Sequence, residues 1–300
     1  MTGRRDLGRV LVTGAAGFLG AALVRRLRGM GHEVVASDLG LQDCPCDLTD
    51  FAQVERMVGR QRIETIFHCG AVSGPMVLAD QPLAIWQINA LGTSHVLEAA
   101  RCHAVARVMV CSSCDVYGDL TGTVDETTLP HPVTVYGASK VAAEAAMLGY
   151  VREHALDAVA LRLAWIYGPG RQTPTALAAM IHAAAVGEAL SLEAGPHDIT
   201  HYLYIDDAVS GLVCAGQAAV LKKRVYNISA GRGIPMRDVV ATFRELEPSA
   251  AITLTAAPAP ALPAVLDNRR ALRDLGFSPA TSLADGLRLY RDAPAGQGGN

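Results

Sequence analysis

A glycine-rich turn near the start of the chain restricts the fold more than any other feature of the sequence. Residues 9–13 form a short apolar strand, and residues 14–20 follow it directly as G-x-x-G-x-x-G. A helix is predicted next, and then a second strand, residues 33–37, that ends at Asp38. Strand, turn, helix and strand within about 30 residues make a βαβ unit. The sequence therefore predicts an α/β fold.

The turn and the acidic residue together indicate a dinucleotide site. Glycines let the backbone turn tightly and approach a pyrophosphate, whose charge lies against the positive end of the following helix. Asp38 stands 18 residues after Gly20, where its carboxylate can accept hydrogen bonds from both adenosine ribose hydroxyls. Since a carboxylate there repels a 2′-phosphate, NAD is favoured over NADP. The predicted cofactor contacts in this unit are Gly14, Gly17, Phe18, Leu19, Gly20 and Asp38.

Strands and helices continue to alternate over about 160 residues. The further strands are predicted to be a very short third one closed by residues 47–50, and then 63–68, 105–112 and 159–163. This order is typical of a Rossmann-type doubly wound parallel sheet, in which ligands bind at the carboxyl ends of the strands. Such ends carry Gly14, Asp38, Ala71 and Ser113. We therefore expect one shared site.

The pattern becomes less regular after Trp165, which suggests two domains. Residues 1–165 are expected to form the NAD-binding domain, joined by parts of 200–230. Residues 166–300 are expected to form mainly a smaller substrate-binding domain. Residues 257–263 are predicted to be a proline-rich loop, and the tail from about 294 is predicted to be disordered.

Tyr136 and Lys140 are the candidate acid/base pair. Four residues apart on a predicted helix, they lie on one face. A free tyrosine has a pKa near ~10, and a neighbouring cation lowers it toward the range useful for proton transfer. By itself the pattern also fits an exposed helix face, so its interpretation depends on the rest of the chain.

Several motifs, in order and spacing, resemble the extended short-chain dehydrogenase/reductases, or NAD-dependent epimerase/dehydratases. They are Thr13 to Gly20, Asp38, Asp47-Leu48, Asn89 with Gly92-Thr93, Ser112-Ser113, Val116-Tyr117-Gly118, Tyr136 to Lys140 and Tyr167-Gly168-Pro169. The resemblance covers nearly the whole chain. It implies an NAD-dependent enzyme of carbohydrate metabolism.

The resemblance also implies roles for individual residues. Tyr136 corresponds to the proton-transfer residue, and Lys140 to the residue that binds the nicotinamide ribose and lowers the tyrosine pKa. Ser113 corresponds to the residue that holds the reacting hydroxyl or carbonyl. The remaining cofactor contacts implied are Asp47 and Leu48 at the adenine, Cys69, Gly70 and Ala71 along the pyrophosphate and ribose, and Asn89.

Departures from the family pattern concern the substrate. UDP-galactose 4-epimerases usually have Asn where Trp165 stands, and diphosphate-binding Arg where Thr200 or His201 and Ala264 stand. A diphosphate favours cationic partners, so a smaller sugar, sugar acid or polyol is at least as well supported as a nucleotide sugar. Substitute cations could come from Arg171, Arg232 or Arg269.

Dehydratases of the family have Asp-Glu directly after the catalytic Thr, where this chain has Cys114 and Asp115. Because one of the two carboxylates is replaced by a cysteine, the sequence does not favour dehydratase chemistry. The candidate substrate contacts are Ser73, Ser113, Asp115 and Trp165. A plain turn explains Ser73 nearly as well as a substrate contact does. Asp115 is more consistent with a hydrogen bond within its loop than with catalysis. Trp165 is equally consistent with a pocket wall and with the core.

These residues predict an NAD-dependent oxidoreductase or epimerase acting on a secondary alcohol of a sugar-like molecule. The first alternative is a nucleotide-sugar 4-epimerase with transient NADH. A minor alternative is a non-catalytic NAD-binding regulator, which would predict loss of Ser113, Tyr136 or Lys140; all three are present.

Composition limits the partners. The net charge is −3 and the pI about 6.3, which gives no reason to expect nucleic acid. No apolar signal core or membrane span is evident, and seven scattered cysteines are expected to be reduced thiols in the cytoplasm, with no metal site. Asp206-Asp207 is interpreted as a helix cap. A homodimer is predicted, paired through the alanine-rich faces of helices 92–103 and 136–154.

Overall fold

The computed structural model describes residues 3–119, 121–255 and 265–294. The loop predicted at 257–263, Ala264, and the predicted disordered tail beyond residue 294 lie outside the described residues.

The strands of the described residues fall into one large sheet and four small pairs. They are β1 (Val10–Thr13), β2 (Val34–Ser37), β3 (Thr65–His68), β4 (Arg107–Ser113), β5 (Thr123–Val124), β6 (Ala158–Leu163), β7 (Trp165–Tyr167), β8 (Leu190–Glu193), β9 (Ile199–Thr200), β10 (Tyr202–Tyr204), β11 (Val225–Ile228), β12 (Ile234–Pro235), β13 (Ile252–Thr255) and β14 (Val265–Leu266).

The helices cover both faces of the large sheet, as expected where βαβ crossovers build a parallel sheet. They are α1 (Phe18–Gly29), α2 (Phe51–Arg60), α3 (Pro82–Trp86), α4 (Gly92–Cys102), α5 (Val135–His154), α6 (Ala176–Val186), α7 (Ile205–Gln217), α8 (Met236–Leu246), α9 (Arg269–Leu275) and α10 (Leu283–Asp292). None of the described helices is both long and apolar enough to cross a membrane.

The large sheet has six strands within the described chain, in the order β2-β1-β3-β4-β6-β11, and every pairing is parallel. The predicted Rossmann-type fold is confirmed. Because all six strands run the same way, their carboxyl ends lie along one edge. β11 pairs with β6, so a segment far along the chain completes the sheet. The division at residue 165 stays a prediction.

The very short third strand predicted near residues 47–50 is wrong. Asp47 Oδ1 accepts hydrogen bonds from the backbone N–H of Thr49 at 2.8 Å and from its hydroxyl at 2.7 Å. This side-chain turn gives the backbone a local alternative to strand pairing. Asp50 then caps α2 as predicted, accepting from Gln53 N at 3.2 Å.

The helix predicted from Pro82 to His103 is not uniform. A π-helical segment, Gln87–Leu91, separates α3 from α4 and contains the buried Asn89. Such wide turns are rare and are frequent at functional sites. Here the segment packs against α5, which carries Tyr136 and Lys140.

The cap predicted at Asp206-Asp207 is also wrong. Helix α7 begins at Ile205 after Tyr204, with no side-chain cap. The buried Asp207 instead accepts the backbone N–H groups of Ala280 and Thr281, at 2.8 and 3.0 Å. It therefore ties α7 to the segment before α10, a contact between distant residues that a local sequence pattern does not reveal.

Candidate active site

A cavity of about 970 Å³ runs along the carboxyl edge of the large sheet. Of the residues predicted to form the site, only Asn89 is missing from its described lining. The lining includes Gly14, Gly17, Phe18, Leu19, Gly20, Asp38, Asp47, Leu48, Cys69, Gly70, Ala71, Ser73, Ser113, Asp115, Tyr136, Lys140 and Trp165. Residues far apart in the chain therefore meet in one cavity.

The turn at Gly14 and Gly20 requires glycine because a side chain at either position would clash with the protein backbone. Gly14 has φ +68°, and a Cβ on it would lie 2.6 Å from Gly70 Cα. A Cβ on Gly20 would lie 2.0 Å from the carbonyl oxygen of Gly14. The turn thus brings the start of α1 close to β1, and the first residues of α1 line the cavity, where a pyrophosphate is favoured at a helix N-terminus.

Asp38 follows the last residue of β2 and lines the same end of the cavity. Its Oδ2 accepts the backbone N–H of Ala16 at 3.2 Å, so the turn itself fixes the carboxylate. The carboxylate keeps acceptor capacity for ribose hydroxyls. This position fits the predicted preference for NAD.

Asn89 lies behind the cavity wall. Its Oδ1 accepts the backbone N–H of Val72 at 2.8 Å, and its amide nitrogen donates to Val72 O at 3.2 Å and to Ser139 Oγ at 3.0 Å. The side chain is completely buried and fully used within the protein. The predicted direct contact with the cofactor is therefore replaced by a supporting contact between the loop after β3 and α5.

Ser113, Tyr136 and Lys140 come together on the cavity wall. Ser113 ends β4, and the other two lie on the first turns of α5, whose N-terminus is capped by Thr134 Oγ1 accepting Gly137 N at 3.0 Å. Lys140 Nζ donates to Cys111 O at 3.0 Å and lies 5.8 Å from the centroid of the Tyr136 ring. The predicted pair therefore shares one helix face beside the end of β4.

The pKa of Tyr136 does not follow the expectation from Lys140 alone. Burial raises it above its ordinary value, and the negative charge of Asp115 raises it further, while a hydrogen bond with Ser113 lowers it. Burial lowers the pKa of Lys140. The expected net lowering of the Tyr136 pKa is thus not found, because desolvation opposes the phenolate.

The far end of the cavity is formed by the less regular part of the chain. Trp165 lines it, makes edge contacts with Tyr202 at 6.1 Å between ring centroids, and packs in part against the core, so its contact with the substrate stays a prediction. Arg171 also lines it, with its guanidinium carbon 6.0 Å from the centroid of the Phe18 ring. Arg171 donates to Ile166 O, but its buried Nε has no partner among the described residues.

The other described residues considered for the missing diphosphate-binding arginines do not add a cation to this end of the cavity. Thr200 lines the cavity, but its hydroxyl donates to Ile234 O at 2.9 Å. Arg269 is exposed and paired with Asp267, and Arg232 lines a separate small cavity beside Tyr167. Arg171 is therefore the cation that the structure brings to this end, among the described lining residues.

A buried histidine that the sequence pattern did not single out connects these parts. His68 Nδ1 lies 2.8 Å from Thr13 Oγ1, which accepts Gly70 N at 3.2 Å. His68 Nε2 lies 3.0 Å from Thr93 Oγ1, which donates to Asn89 O. Since Thr93 uses its proton on Asn89, His68 must donate from Nε2. Its place at the end of β3, one residue before Cys69, was the available signal.

Stability is expected to depend on the neutral form of His68. Burial lowers the pKa of His68 to about 3 and that of His201 to about 4. Both lie below the unfolded value of ~6.5, so the unfolded state binds more protons below that pH. Stability should therefore be full above about pH 6.5 and fall below it, by about 1.4 kcal/mol per pH unit for each group.

Urea unfolding at pH 7.5, 6 and 5 measures this dependence. His68→Gln should lower stability at pH 7.5, because hydrogen bonds are lost, and should remove about 1.4 kcal/mol per unit from the acid slope. His154→Gln, at an exposed position at the end of α5, is the control. An unchanged acid slope in His68→Gln would contradict a buried neutral imidazole.

Comparisons with known proteins agree with this geometry. The model of the NAD dependent epimerase/dehydratase family matches residues 10–229. The UDP-glucose 4-epimerase of Mycolicibacterium smegmatis is 31% identical over 310 residues, covering 93% of this chain and 96% of that protein.

Two solved structures are similar over 95% of this chain. One is the UDP-glucose 4-epimerase of Thermotoga maritima with UDP-glucose, with a TM-score of 0.87, 26% identity and 97% of its chain covered. The other is MoeE5 in complex with UDP-glucuronic acid and NAD, with a TM-score of 0.84, 31% identity and 98% covered. The chain therefore belongs to the NAD-dependent epimerase/dehydratase family of extended short-chain dehydrogenase/reductases, and NAD is its cofactor.

Proposed function

We propose that the protein oxidises a secondary alcohol of a sugar-like molecule, with Tyr136 as the proton-transfer residue. One observation supports the proposal most strongly. Ser113, Tyr136 and Lys140 lie together on the wall of the cavity that the glycine turn and Asp38 also line. When bound, NAD supplies a nicotinamide carbon that accepts hydride from the substrate. Dehydrogenation and epimerisation share this first transfer.

Each residue of the site has a role that follows from its place along the cavity. The glycine turn and Asp38 hold the adenosine and pyrophosphate end. Lys140, fixed by Cys111 O, binds the nicotinamide ribose and keeps positive charge near the phenol. Tyr136 is nearly fully buried, so water is excluded from the proton-transfer step.

The charge of the substrate end favours a sugar with little negative charge. Besides Arg171, the described lining at this end contains the acidic residues Glu193 and Asp198, and a diphosphate would need more cations than Arg171 alone. A single carboxylate or other single anion matches one guanidinium with an unpartnered buried Nε. We therefore propose a free sugar, sugar acid or polyol as the substrate, with dehydrogenation or reduction ahead of epimerisation.

Arg171→Ala tests this assignment. For a sugar acid, KM should rise about 10- to 100-fold, because a hydrogen bond to a charged group contributes about 1.5–3 kcal/mol. For an uncharged sugar, KM should change far less. The matched control is Arg232→Ala, since Arg232 lines only the separate small cavity. Equal changes in KM for both substrates in Arg171→Ala would show that Arg171 does not bind the anionic group of the sugar acid.

The second candidate is a nucleotide-sugar 4-epimerase with transient NADH. It is supported by the likeness, over 95% of the chain, to structures that hold UDP-glucose and UDP-glucuronic acid. In this case residues other than the usual arginines would bind the diphosphate.

A substrate panel separates the two candidates. The protein is incubated with NAD and free sugars, sugar acids, polyols, UDP-glucose and UDP-glucuronic acid, and both NADH absorbance and sugar stereochemistry are followed. Net NADH from a free sugar or sugar acid supports the dehydrogenase. Interconverted nucleotide sugars without net NADH support the epimerase. No reaction with any compound would count against both.

We also propose a homodimer, with larger apolar side chains at its interface than the predicted alanines. Among those alanines, Ala99, Ala100 and Ala143 are buried in the protein's own core, whereas Ala145 on α5 is exposed. Exposed apolar side chains instead follow α3, the π-helical segment and α5, which contact one another. They are Leu83, Trp86, Leu91 and Leu148, with exposures of 65%, 42%, 46% and 42%.

We further propose a reducing cytoplasmic location, since all seven cysteines are free thiols.

Leu148→Glu is expected to give a monomer in light scattering, because a charge would be buried in the apolar interface. Leu272→Glu on α9, where the leucine is similarly exposed at 51%, is the control and should leave the dimer intact. A monomeric mass for the unmodified protein would contradict the proposed dimer.

A further inference from the structure

A chain of hydrogen bonds runs behind the cavity wall and has His68 at its centre. On one side, Thr13 Oγ1 lies 2.8 Å from His68 Nδ1 and accepts the backbone N–H of Gly70 at 3.2 Å. On the other side, Thr93 Oγ1 lies 3.0 Å from His68 Nε2 and donates to Asn89 O. The histidine, the two threonines and the asparagine are each at most 3% exposed, so these bonds form away from bulk water.

The chain continues from Asn89 to the helix that carries the phenol. The amide nitrogen of Asn89 donates to Ser139 Oγ at 3.0 Å, and Ser139 donates in turn to the backbone carbonyl of Tyr136 at 2.7 Å. Ser139 is completely buried and lies on the first turns of α5, one residue before Lys140. Buried hydrogen bonds therefore connect this part of α5 to His68.

One arrangement of protons satisfies these bonds. Thr93 has a single hydroxyl proton, which it donates to Asn89 O, so His68 donates from Nε2 to Thr93. A neutral imidazole with its proton on Nε2 has a bare Nδ1, which accepts the proton of Thr13. Burial lowers the pKa of His68 and the positive charge of Lys140 lowers it further, which keeps the ring neutral. Each bond along the chain therefore has a fixed direction.

The two ends of the chain lie at two functional parts of the cavity. A Cβ on Gly14 would lie 2.6 Å from Gly70 Cα, so the glycine turn and the loop after β3 touch at this point. Thr13 directly precedes Gly14, and its hydroxyl holds the N–H of Gly70 there. These three residues line the cavity, and Tyr136 lines it at the other end of the chain. The position of His68 therefore affects both the cofactor turn and the phenol.

We propose that His68 is a positioning residue that serves the two ends through different ring nitrogens. Nδ1 holds the cofactor-binding turn through Thr13, and Nε2 holds the part of α5 that carries Tyr136 through Thr93. The inference rests on the proposed function, because it assigns how the phenol is placed for the proton transfer. A residue that only filled the core would affect both ends together.

Two substitutions at His68 each keep one half of the chain. In His68→Gln the amide donates from the place of Nε2 but leaves Thr13 without its acceptor. In His68→Asn the shorter amide accepts in the place of Nδ1 but does not reach Thr93. Kd for NAD is measured by titration without substrate, and kcat with the panel compound that reacts.

The two His68 variants should show opposite patterns. His68→Gln should raise Kd for NAD about tenfold, because a buried hydroxyl near the cofactor turn loses its partner, and lower kcat less than about threefold. His68→Asn should lower kcat about tenfold, because the phenol is misplaced, and change Kd less than about threefold. His154→Gln, at the exposed end of α5, is the control and should change neither.

Thr93 gives a second pair of variants that leaves the histidine in place. Thr93→Val keeps the shape but removes the hydroxyl, so it should lower kcat as His68→Asn does and leave Kd for NAD unchanged. Thr93→Ser keeps the hydroxyl and should recover most of the rate. Circular dichroism and urea unfolding identify conditions in which every variant is folded. Equal changes in Kd and kcat in both His68 variants, or no change in either, would contradict the positioning role.

The tautomer of His68 gives a test that needs no substrate. In NAD-loaded protein with ¹⁵N-labelled histidine, the signal of His68 is the one that His68→Gln removes. We expect the neutral Nε2–H tautomer from pH 6 to pH 9, and an Nδ1–H tautomer or a protonated ring would overturn the proposal. If the kcat and Kd patterns fail while Tyr136→Phe is inactive, His68 is only structural and the proposed function stands. A fully active Tyr136→Phe would instead contradict the proposed function.

Discussion

Tyr136→Phe is expected to lower kcat about 10²- to 10⁴-fold, the usual contribution of a positioned acid or base. The substitution removes only the phenolic oxygen, so NAD affinity and folding should change little. The residual rate should also lose the pH dependence of the unmodified protein, because no group remains to take the hydroxyl proton. Steady-state turnover and NAD titration measure both effects.

Tyr150→Phe is the matched control for this substitution. Tyr150 lies on the same helix α5, is half-buried and faces Glu98, away from the cavity lining. Its loss of a hydroxyl should leave kcat within about twofold. Undiminished turnover in Tyr136→Phe, or an equal loss in Tyr150→Phe, would contradict the assigned role.

The largest effect on stability is expected at a buried ion pair behind the site. Arg162 on β6 and Glu144 on α5 lie 2.6 Å apart, with side chains only 5% exposed, and Ser112 donates to the same carboxylate at 2.5 Å. Glu144→Gln keeps the shape but leaves the buried guanidinium uncompensated. Removing one partner of such a pair costs about 3–5 kcal/mol of the free energy of unfolding.

Urea unfolding of single and double variants checks this expectation. Replacing both Arg162 and Glu144 by leucine should be less destabilising than Glu144→Gln, because no charge stays buried. Glu98→Gln is the control, since its pair with Arg101 is more exposed and should contribute less than about 1 kcal/mol. A cost below about 1 kcal/mol for Glu144→Gln would show that Arg162 finds other compensation.

Most of the fold was predictable because it follows local patterns. The glycine turn, the strand periodicity and the position of Asp38 depend on residues close in sequence, and the parallel sheet follows from their repetition. The strand near Asp47 was mispredicted because a side-chain hydrogen bond to Thr49 competes with strand pairing. The prediction that Asp207 caps a helix was wrong because its hydrogen-bond partners lie more than 70 residues away in the sequence.

The candidate site was predictable as a set of residues but not as a set of interactions. Family spacing placed Ser113, Tyr136 and Lys140, yet the net direction of the Tyr136 pKa depends on burial and on Asp115. His68 was missed because its two threonine partners come from other elements. Burial and long-range pairing are properties of the assembled chain, so they appear only in the structure.

Transfer of a deuterium label from the substrate carbon to the nicotinamide tests the central proposal most directly. The NAD-loaded protein is mixed with each panel compound deuterated at the reacting carbon, and the cofactor is analysed by mass spectrometry. We expect label on the nicotinamide with the unmodified protein and about 10²-fold slower transfer with Tyr136→Phe. Net formation of an oxidised product without label on the cofactor, or label transfer at full rate in Tyr136→Phe, would contradict hydride transfer assisted by Tyr136.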